Sequence, residues 1–187
     1  MKIILEKENI LFNGVGKIQF RYSKRAKYIR IVISHCSEVY VVLPKNQNIN
    51  EAMNFVHSKR KWIQKNKTRI ANKNVLRLKL SDLELKKFWK DTKQKMIQLS
   101  NIHQLNFYKL IFKTLKSRWG SCSQNNTICI NNIIYYLPNH LQEYILLHEL
   151  AHTKIKNHSF IFWEELEKIC PNSQLKRKEL RDNYAIG

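Results

Sequence analysis

Residues 139–160 read NHLQEYILLHELAHTKIKNHSF, and this stretch decides the fold. Between residues 141 and 151 it is apolar on nearly every side of a helical projection, which predicts a buried helix rather than a surface one. His148 and His152 are four residues apart, so both imidazoles lie on one face of that helix, one turn apart. Ionisable side chains are costly to bury without partners, and the pair therefore indicates a metal site.

A catalytic zinc site takes three protein ligands and keeps one position for water, so a third ligand must come from beyond the helix. His158, ten residues after His148, has a suitable interval. Glu149 is expected to be the general base that accepts a proton from the attacking water. The alternative is a chance pentapeptide whose histidines are satisfied core residues. We expect Zn²⁺, although histidine-rich sites accept other divalent ions.

The sequence also predicts how this helix begins and how the chain leaves it. Asn139 can cap the helix, with Gln142 answering it three residues later. The bend that returns His158 to the site is expected at Asn157, because asparagine tolerates left-handed backbone. The second ring N–H of each ligand needs an acceptor, for which the candidates are a backbone carbonyl, Glu164, Glu165 and Glu167.

The first 43 residues alternate between apolar and polar positions and predict a small antiparallel sheet, with a hairpin signal at residues 13–14. A basic amphipathic helix is expected to start at an Asn50 cap and to continue through Ile63. A second helix is expected to be capped by Ser81 and to run towards Leu99, with its buried stripe at Leu85, Phe88, Trp89, Thr92 and Met96.

Closer to the metal helix, residues 108–113 and 127–131 read as two strands flanking a turn-prone connection, which predicts a β-hairpin. Two further helices are expected at about residues 159–169 and 173–184. The pattern as a whole predicts an α+β fold. We expect an N-terminal β-rich subdomain with the basic helix in residues 1–75 and a metal-binding catalytic domain in residues 76–187.

The chain is strongly basic, and the basic residues are unevenly placed. Lys and Arg number 34 against 14 Asp and Glu, for a net charge of +20, which is enough to attract nucleic acid, nucleotides or anionic surfaces. Residues 59–95 contain 14 basic and 3 acidic residues, whereas residues 140–170 are slightly acidic. The basic surface is therefore separate from the predicted metal site.

Composition and length exclude several classes of protein. With 187 residues, 43% of them hydrophobic, the chain can bury a core without disulfides or structural metal. No apolar run approaches the roughly 18 residues needed to cross a bilayer, so we expect no membrane partner and a cytoplasmic location. The scattered cysteines are expected to be reduced, with a Cys122–Cys129 disulfide as the alternative. They are Cys36, Cys122, Cys129 and Cys170.

Several motifs of the second half of the chain form a recognisable set: residues 117–122 (SRWGSC), Ile128, Ile130 and Asn131, residues 148–152 (HELAH), residues 157–159 (NHS), Phe162-Trp163 and Pro171. Together they resemble the YgjP-like (DUF45) metal-dependent hydrolases. The resemblance extends upstream to residues 23–31 and 61–63, so it covers nearly the whole chain. It implies a zincin-like helical core related to the SprT and WLM groups, with His148, His152 and His158 as ligands and Glu149 catalytic.

Three residues before the metal helix are candidates for substrate binding. Arg118 can hold a carboxylate or a phosphate with its guanidinium, or simply lie along the sheet. Gly120 is expected to allow a close approach that a Cβ would obstruct. Asn131 could orient a ligand or cap the hairpin.

Three functions follow from these features. The first is a zinc-dependent metallopeptidase acting on peptides or proteins, with the hairpin edge aligning an extended substrate. The second is a nucleoside triphosphate pyrophosphohydrolase or phosphohydrolase, an activity also attributed to the family and compatible with the basic surface. The third is a nucleic-acid-associated accessory protein with a structural metal, in which residues 59–67 and Trp62 of the basic N-terminal half bind the nucleic acid.

Overall fold

The computed structural model describes residues 4–34 and 37–187, with side chains described from residue 9 onward in these ranges. It contains two compact units, Met1–Lys73 and Asn74–Gly187. The sequence predicts a domain boundary after residue 75. The division of the chain into two separate domains stays a prediction. The α+β class is confirmed, because the described residues form six α-helices and three small sheets.

The first unit contains a sheet of four strands, β1 (Ile4–Phe12), β2 (Gly16–Ser23), β3 (Arg30–Ile33) and β4 (Val39–Pro44). Their order in the sheet is β1-β2-β4-β3. The first two strands form a hairpin, and so do the last two, but β2 and β4 run parallel. The prediction of a purely antiparallel sheet is therefore wrong. The reason is that the β3–β4 hairpin joins the sheet through its second strand, so β4 and not β3 lies beside β2 and runs in the same direction.

Two short helices replace the single basic helix expected from Asn50. Helix α1 (Ile49–Ser58) is capped by Asn48, whose side chain accepts a hydrogen bond from the backbone N–H of Asn50. Helix α2 (Arg60–Ala71) follows after a break at Lys59. The break lets each helix bury its own apolar positions in the core of this unit, which contains Ala52, Val56 and Ile63.

The second unit begins with β5 (Asn74–Leu76), which pairs in parallel with the C-terminal β9 (Tyr184–Ile186). Helix α3 (Asp82–His103) has the predicted cap: Ser81 and Glu84 form a reciprocal capping box. The helix continues past Leu99 and ends at a left-handed Gln104, where φ is 54°. Its predicted stripe packs inward through Phe88, Thr92 and Met96.

The predicted hairpin is present, but its first strand is a different one. Strand β8 (Thr127–Asn131) pairs antiparallel with β7 (Gly120–Cys122) and parallel with β6 (Lys109–Lys113), in the order β6-β8-β7. Taking residues 108–113 as the antiparallel partner is therefore wrong. Because β7 consists of Gly, Ser and Cys, its composition lacks the β-branched signal that would have identified it.

The remaining helices are α4 (Asn139–Lys154), α5 (Phe160–Ile169) and α6 (Ser173–Asn183). The predicted Asn139 cap is wrong: Pro138 is at the cap position, and Gln142 instead donates its side-chain amide hydrogen bond to the carbonyl of Leu137 at 2.8 Å. Within the described ranges, no helix combines the length and apolar character needed to span a membrane.

The cysteines in the described residues are free thiols, as expected. In the β7–β8 hairpin Cys122 pairs with Ile128, while Cys129 pairs with Ser121. Successive side chains in a strand point to opposite faces, so the two thiols lie on opposite sides of the hairpin and cannot bond. Cys36 lies outside the described residues.

Candidate metal centre

Helix α4 carries two of the predicted ligands and the predicted base on one rigid element. Its apolar residues are buried on all sides, among them Leu146, Leu147 and Leu150. This enclosure fixes the helix between α3, the three-stranded sheet and helices α5 and α6. His148 and His152 therefore project one turn apart from a helix that cannot shift easily.

The chain leaves α4 without the left-handed asparagine that the sequence suggested. Ile155 ends the helix in an extended conformation, with φ −127° and ψ 110°. Asn157 is not among the described residues with positive φ; its side chain accepts a hydrogen bond from the backbone N–H of Ser159. The extended Ile155 places its carbonyl 2.8 Å from Nδ1 of His152, and this carbonyl fixes the orientation of that ring.

Lys156 ties the segment between the second and third histidines to the β7–β8 turn. Its ammonium donates to the carbonyl of Ser123 at 2.8 Å and to Oδ1 of Asn126 at 2.5 Å. It also lies 3.6 Å from the sulfur of Cys122. An exposed lysine without helical or strand periodicity gives no sequence signal for such a role, and sequence reasoning missed it.

The three predicted histidines converge on one point. The Nε2 atom of His158 lies 3.1 Å from Nε2 of His152 and 3.0 Å from Nε2 of His148. Three ligands of a tetrahedral zinc ion are separated by about 3.3 Å, since the zinc–nitrogen bond is about 2.0–2.1 Å. The fully buried ring of Phe162 packs against all three imidazoles, with centroid separations of 5.0, 4.3 and 4.9 Å.

The electrostatics of the three imidazoles fit a bound cation. Burial, and then the other two histidines, lower the pKa of His148 to about 3. Burial also lowers the pKa of His152 and of His158. All three rings are therefore neutral near pH 7, which is the form that offers a nitrogen lone pair to a metal. In the tautomers that turn the lone pairs of all three Nε2 atoms towards one another, separations of 3.0–3.1 Å are repulsive unless a positive charge lies between the rings.

Glu149 is buried beside this cluster, and its Oε2 has no hydrogen-bond partner among the described residues. Burial raises the pKa of the Glu149 carboxyl to about 8, while the positive charge of Arg118 opposes the rise. A buried carboxylate of this kind is costly unless a cation lies nearby. The residues present therefore fit a divalent metal held by three imidazoles, with a carboxylate next to it.

Gly120 lies directly against Glu149. A Cβ at this glycine would be 2.7 Å from Oε1 of Glu149 and 2.8 Å from its Cγ. Any larger residue would have to displace the carboxylate or the strand. The expected close approach at Gly120 thus corresponds to contact with the predicted base.

The other two candidate substrate-binding residues, Arg118 and Asn131, differ in exposure and in hydrogen-bond partners. Arg118 is exposed and close enough to Glu149 to affect its pKa. Asn131 is fully buried and its amide is saturated by backbone partners: it donates to the carbonyls of Leu115 and Arg118 and accepts from the N–H groups of Leu115 and Ile133. Asn131 therefore holds the segment before β7 and has no free group for substrate.

The acidic residues that are candidate acceptors for the ring N–H groups of the histidines bind other partners or have no hydrogen bond to the rings. Glu165 pairs with Lys154 and Lys168 at 2.8 and 2.6 Å. Glu167 accepts hydrogen bonds from the backbone N–H of Asn172 and from the backbone N–H and hydroxyl of Ser173, at the start of α6. The acceptor for His152 is the Ile155 carbonyl, and Nδ1 of His148 has no partner among the described residues.

An aromatic and a cationic side chain border the cluster on the side of α5 and α6. Trp163 stacks on His158, with centroids 5.5 Å apart and an interplanar angle of 25°. The guanidinium of Arg177 lies 4.4 Å from the centroid of the Trp163 ring. Trp163 was part of the sequence motif, whereas Arg177 was missed because only the packing of α6 on α5 brings it close.

Part of the chain is similar to known metallopeptidases. A family model described as the YgjP-like metallopeptidase domain matches residues 71–183. Several solved structures are similar to part of the chain, while no curated protein matches it. The metallopeptidase zymogen abylysin of Pyrococcus abyssi is 25% identical over 51% of this chain and 99% of that chain, with a TM-score of 0.44. The metallopeptidase zymogen jannalysin of Methanocaldococcus jannaschii is 27% identical over 48% and 91%, with a TM-score of 0.42.

Proposed function

The chain belongs to the YgjP-like metallopeptidase family, and on that premise we propose that it is a zinc-dependent peptidase that uses Glu149 as its general base. Membership supports the broader class, a metal-dependent hydrolase. The observation that carries the finer proposal is the convergence of the Nε2 atoms of His148, His152 and His158 beside a buried carboxylate.

The proposed ligands are the three histidines, and three nitrogen donors with an open fourth position suit zinc. When bound, zinc polarises a carbonyl group and lowers the pKa of water to about 7. Glu149 accepts the proton of the attacking water and returns it to the leaving amine nitrogen. A divalent cation beside Glu149 would hold its buried side chain as the carboxylate, which is the form that can accept this proton.

Strand β7 supports a peptide as the substrate. It is the edge of the three-stranded sheet, and it contacts helix α4 through Gly120 and Glu149. An extended peptide can add to such an edge through main-chain hydrogen bonds, which would bring its backbone alongside the base. We propose that Arg118 binds a carbonyl or carboxylate of this peptide with its exposed guanidinium.

The test is hydrolysis of an unfolded protein by the zinc-loaded full chain. We expect Glu149→Gln to lose more than about a hundredfold in rate, in the range of a lost general base, while its zinc content stays unchanged. Glu164→Gln, which removes an exposed carboxylate from α5, is the matched control and should cleave at the wild-type rate. Zinc content is measured by elemental analysis of the same samples.

Two outcomes would contradict the proposal. An unchanged rate in Glu149→Gln would remove the assigned base. Release of phosphate or pyrophosphate from nucleotides, with no cleavage of polypeptides, would replace the peptidase with a nucleotide hydrolase. No described feature of the metal centre favours nucleotides over peptides.

A further inference from the structure

Helix α2 of the first unit uses one set of its polar residues to hold the β1–β2 turn. Gln64 donates to the carbonyl of Gly14 at 2.5 Å, and the ammonium of Lys67 donates to the carbonyl of Val15 at 2.6 Å. The guanidinium of Arg60 lies over Gly14. These three residues lie on one side of the helix, next to the buried Ile63, and their polar groups already contact the β1–β2 turn.

The opposite side of α2 carries Lys61, Trp62 and Lys65, which all point into solvent. The Trp62 side chain is 50% exposed, although large aromatic residues are normally covered. Lys61 and Lys65 are four residues apart and Trp62 and Lys65 are three apart, so Lys65 has both of the others as neighbours on the helix surface. This face, defined by these three residues, is the outer face of α2.

The outer face carries an excess of positive charge. Helix α2 contains five basic residues and no acidic one. In the part of the chain whose side chains are described, no carboxylate pairs with Lys61 or Lys65. Helices α5 and α6, in contrast, contain charges of both signs, and these include the Lys168–Glu165 and Arg181–Asp182 pairs. Like charges one turn apart destabilise a helix, so an anionic partner would stabilise α2.

We propose that the outer face of α2 binds single-stranded nucleic acid, with backbone phosphates on Lys61 and Lys65 and a base stacked on Trp62. Cations interleaved with an exposed aromatic ring are the combination that recognises unpaired strands. In a duplex the bases are stacked on one another and cannot reach the indole. A lipid surface would require a broad apolar stripe, whereas Trp62 is the only large apolar side chain on this face.

The test is fluorescence anisotropy of a labelled oligothymidylate with the full chain, at a series of salt concentrations. We expect Trp62→Ala to weaken binding about tenfold, the effect of losing one stacked base, and to leave the salt dependence unchanged. Lys61→Gln/Lys65→Gln should reduce the slope of log affinity against log salt by about 1.4, because each single-strand phosphate contact contributes about 0.7.

The matched control is Lys90→Gln/Lys93→Gln, which removes two exposed charges from α3 and the same amount of net charge. It should bind the oligonucleotide with the wild-type slope. Equal reductions of the salt-dependence slope in the two double variants would show that binding depends on net charge alone and would overturn the proposal. So would an unaffected Trp62→Ala variant, tighter binding to a duplex of the same length, tighter binding to anionic phospholipid vesicles, or no binding at low salt. Thermal melting of each variant verifies that it is folded.

Discussion

Gly120 and Glu149 are in such close contact that a single added methyl group at the glycine would lie 2.7 Å from Oε1 of the carboxylate. We expect Gly120→Ala to displace the Glu149 side chain and to reduce the rate of peptide hydrolysis about a hundredfold, the cost of misplacing a reacting group by about an ångström. Zinc content should be unchanged.

The Gly120→Ala/Glu149→Gln double variant distinguishes this explanation from general damage. If the alanine acts through Glu149, the double variant should be no slower than Glu149→Gln alone. If the fold reductions in rate of the two single variants instead multiply in the double variant, Gly120 acts independently of Glu149.

Removal of the metal should lower the melting temperature without unfolding the protein at room temperature. The second unit has its own apolar core, so the metal adds stability rather than creating the fold. Zinc at a hundredfold excess over its dissociation constant contributes about 2.7 kcal/mol. Thermal melts with zinc and with a chelator measure the difference. His158→Ala should abolish this zinc-dependent difference in melting temperature. His140→Ala should retain the difference, because His140 pairs with Glu179 outside the site.

Lys156 is expected to position the third ligand. Because it holds the His158 segment to Ser123 and Asn126, Lys156→Met should weaken zinc binding about tenfold, at the low end of what supporting contacts contribute. Competition with a chromogenic chelator measures this affinity. Lys154→Met is the control, since Lys154 pairs with Glu165 on α5 and leaves the turn alone. Equal affinities for both variants would refute the role of Lys156.

Asn131 is expected to support the fold and not the substrate. Asn131→Ala leaves several buried backbone groups without partners and should lower the free energy of unfolding by about 2–4 kcal/mol. Urea denaturation measures this loss. A variant with wild-type stability but a raised KM would restore the substrate-binding role that the sequence suggested.

Glu167 should make stability depend on pH. Hydrogen bonds from Ser173, opposed in part by burial, hold the pKa of this carboxyl below its usual range. A lowered folded pKa means that its stabilising effect is present above the unfolded value of about 4.3 and is lost as the pH falls through the folded value. Glu167→Gln should therefore melt below wild type at neutral pH and converge with it in acid. A gap that persists in acid would exclude this carboxylate as the cause.

The sequence predicted the elements that depend on local spacing. His148 and His152 converge because four residues make one helical turn, and the Ser81 cap of α3 follows from a serine and a glutamate three residues apart. These relations join residues only a few positions apart, so the local sequence is enough to predict them.

Relations between distant segments were not predictable in the same way. Alternation identifies which face of a strand is apolar but not which strand lies beside it, so the parallel pairing of β2 with β4 gave no signal. The contact of Lys156 with the β7–β8 turn and of Arg177 with Trp163 depends on packing between elements. The sequence left the role of Asn131 open between orienting a ligand and capping the hairpin, because its four backbone partners are visible only in the folded chain.

The enclosure of α4 has a consequence for divergence among related enzymes. A helix packed on every side tolerates few substitutions, since each change of volume disturbs a neighbour. New substrate preferences would therefore have to arise on the exposed rim, at Arg118, along β7 and on the surface of α5 and α6. Lineages that differ in what they cleave should differ at that rim while their ligand helices stay nearly the same.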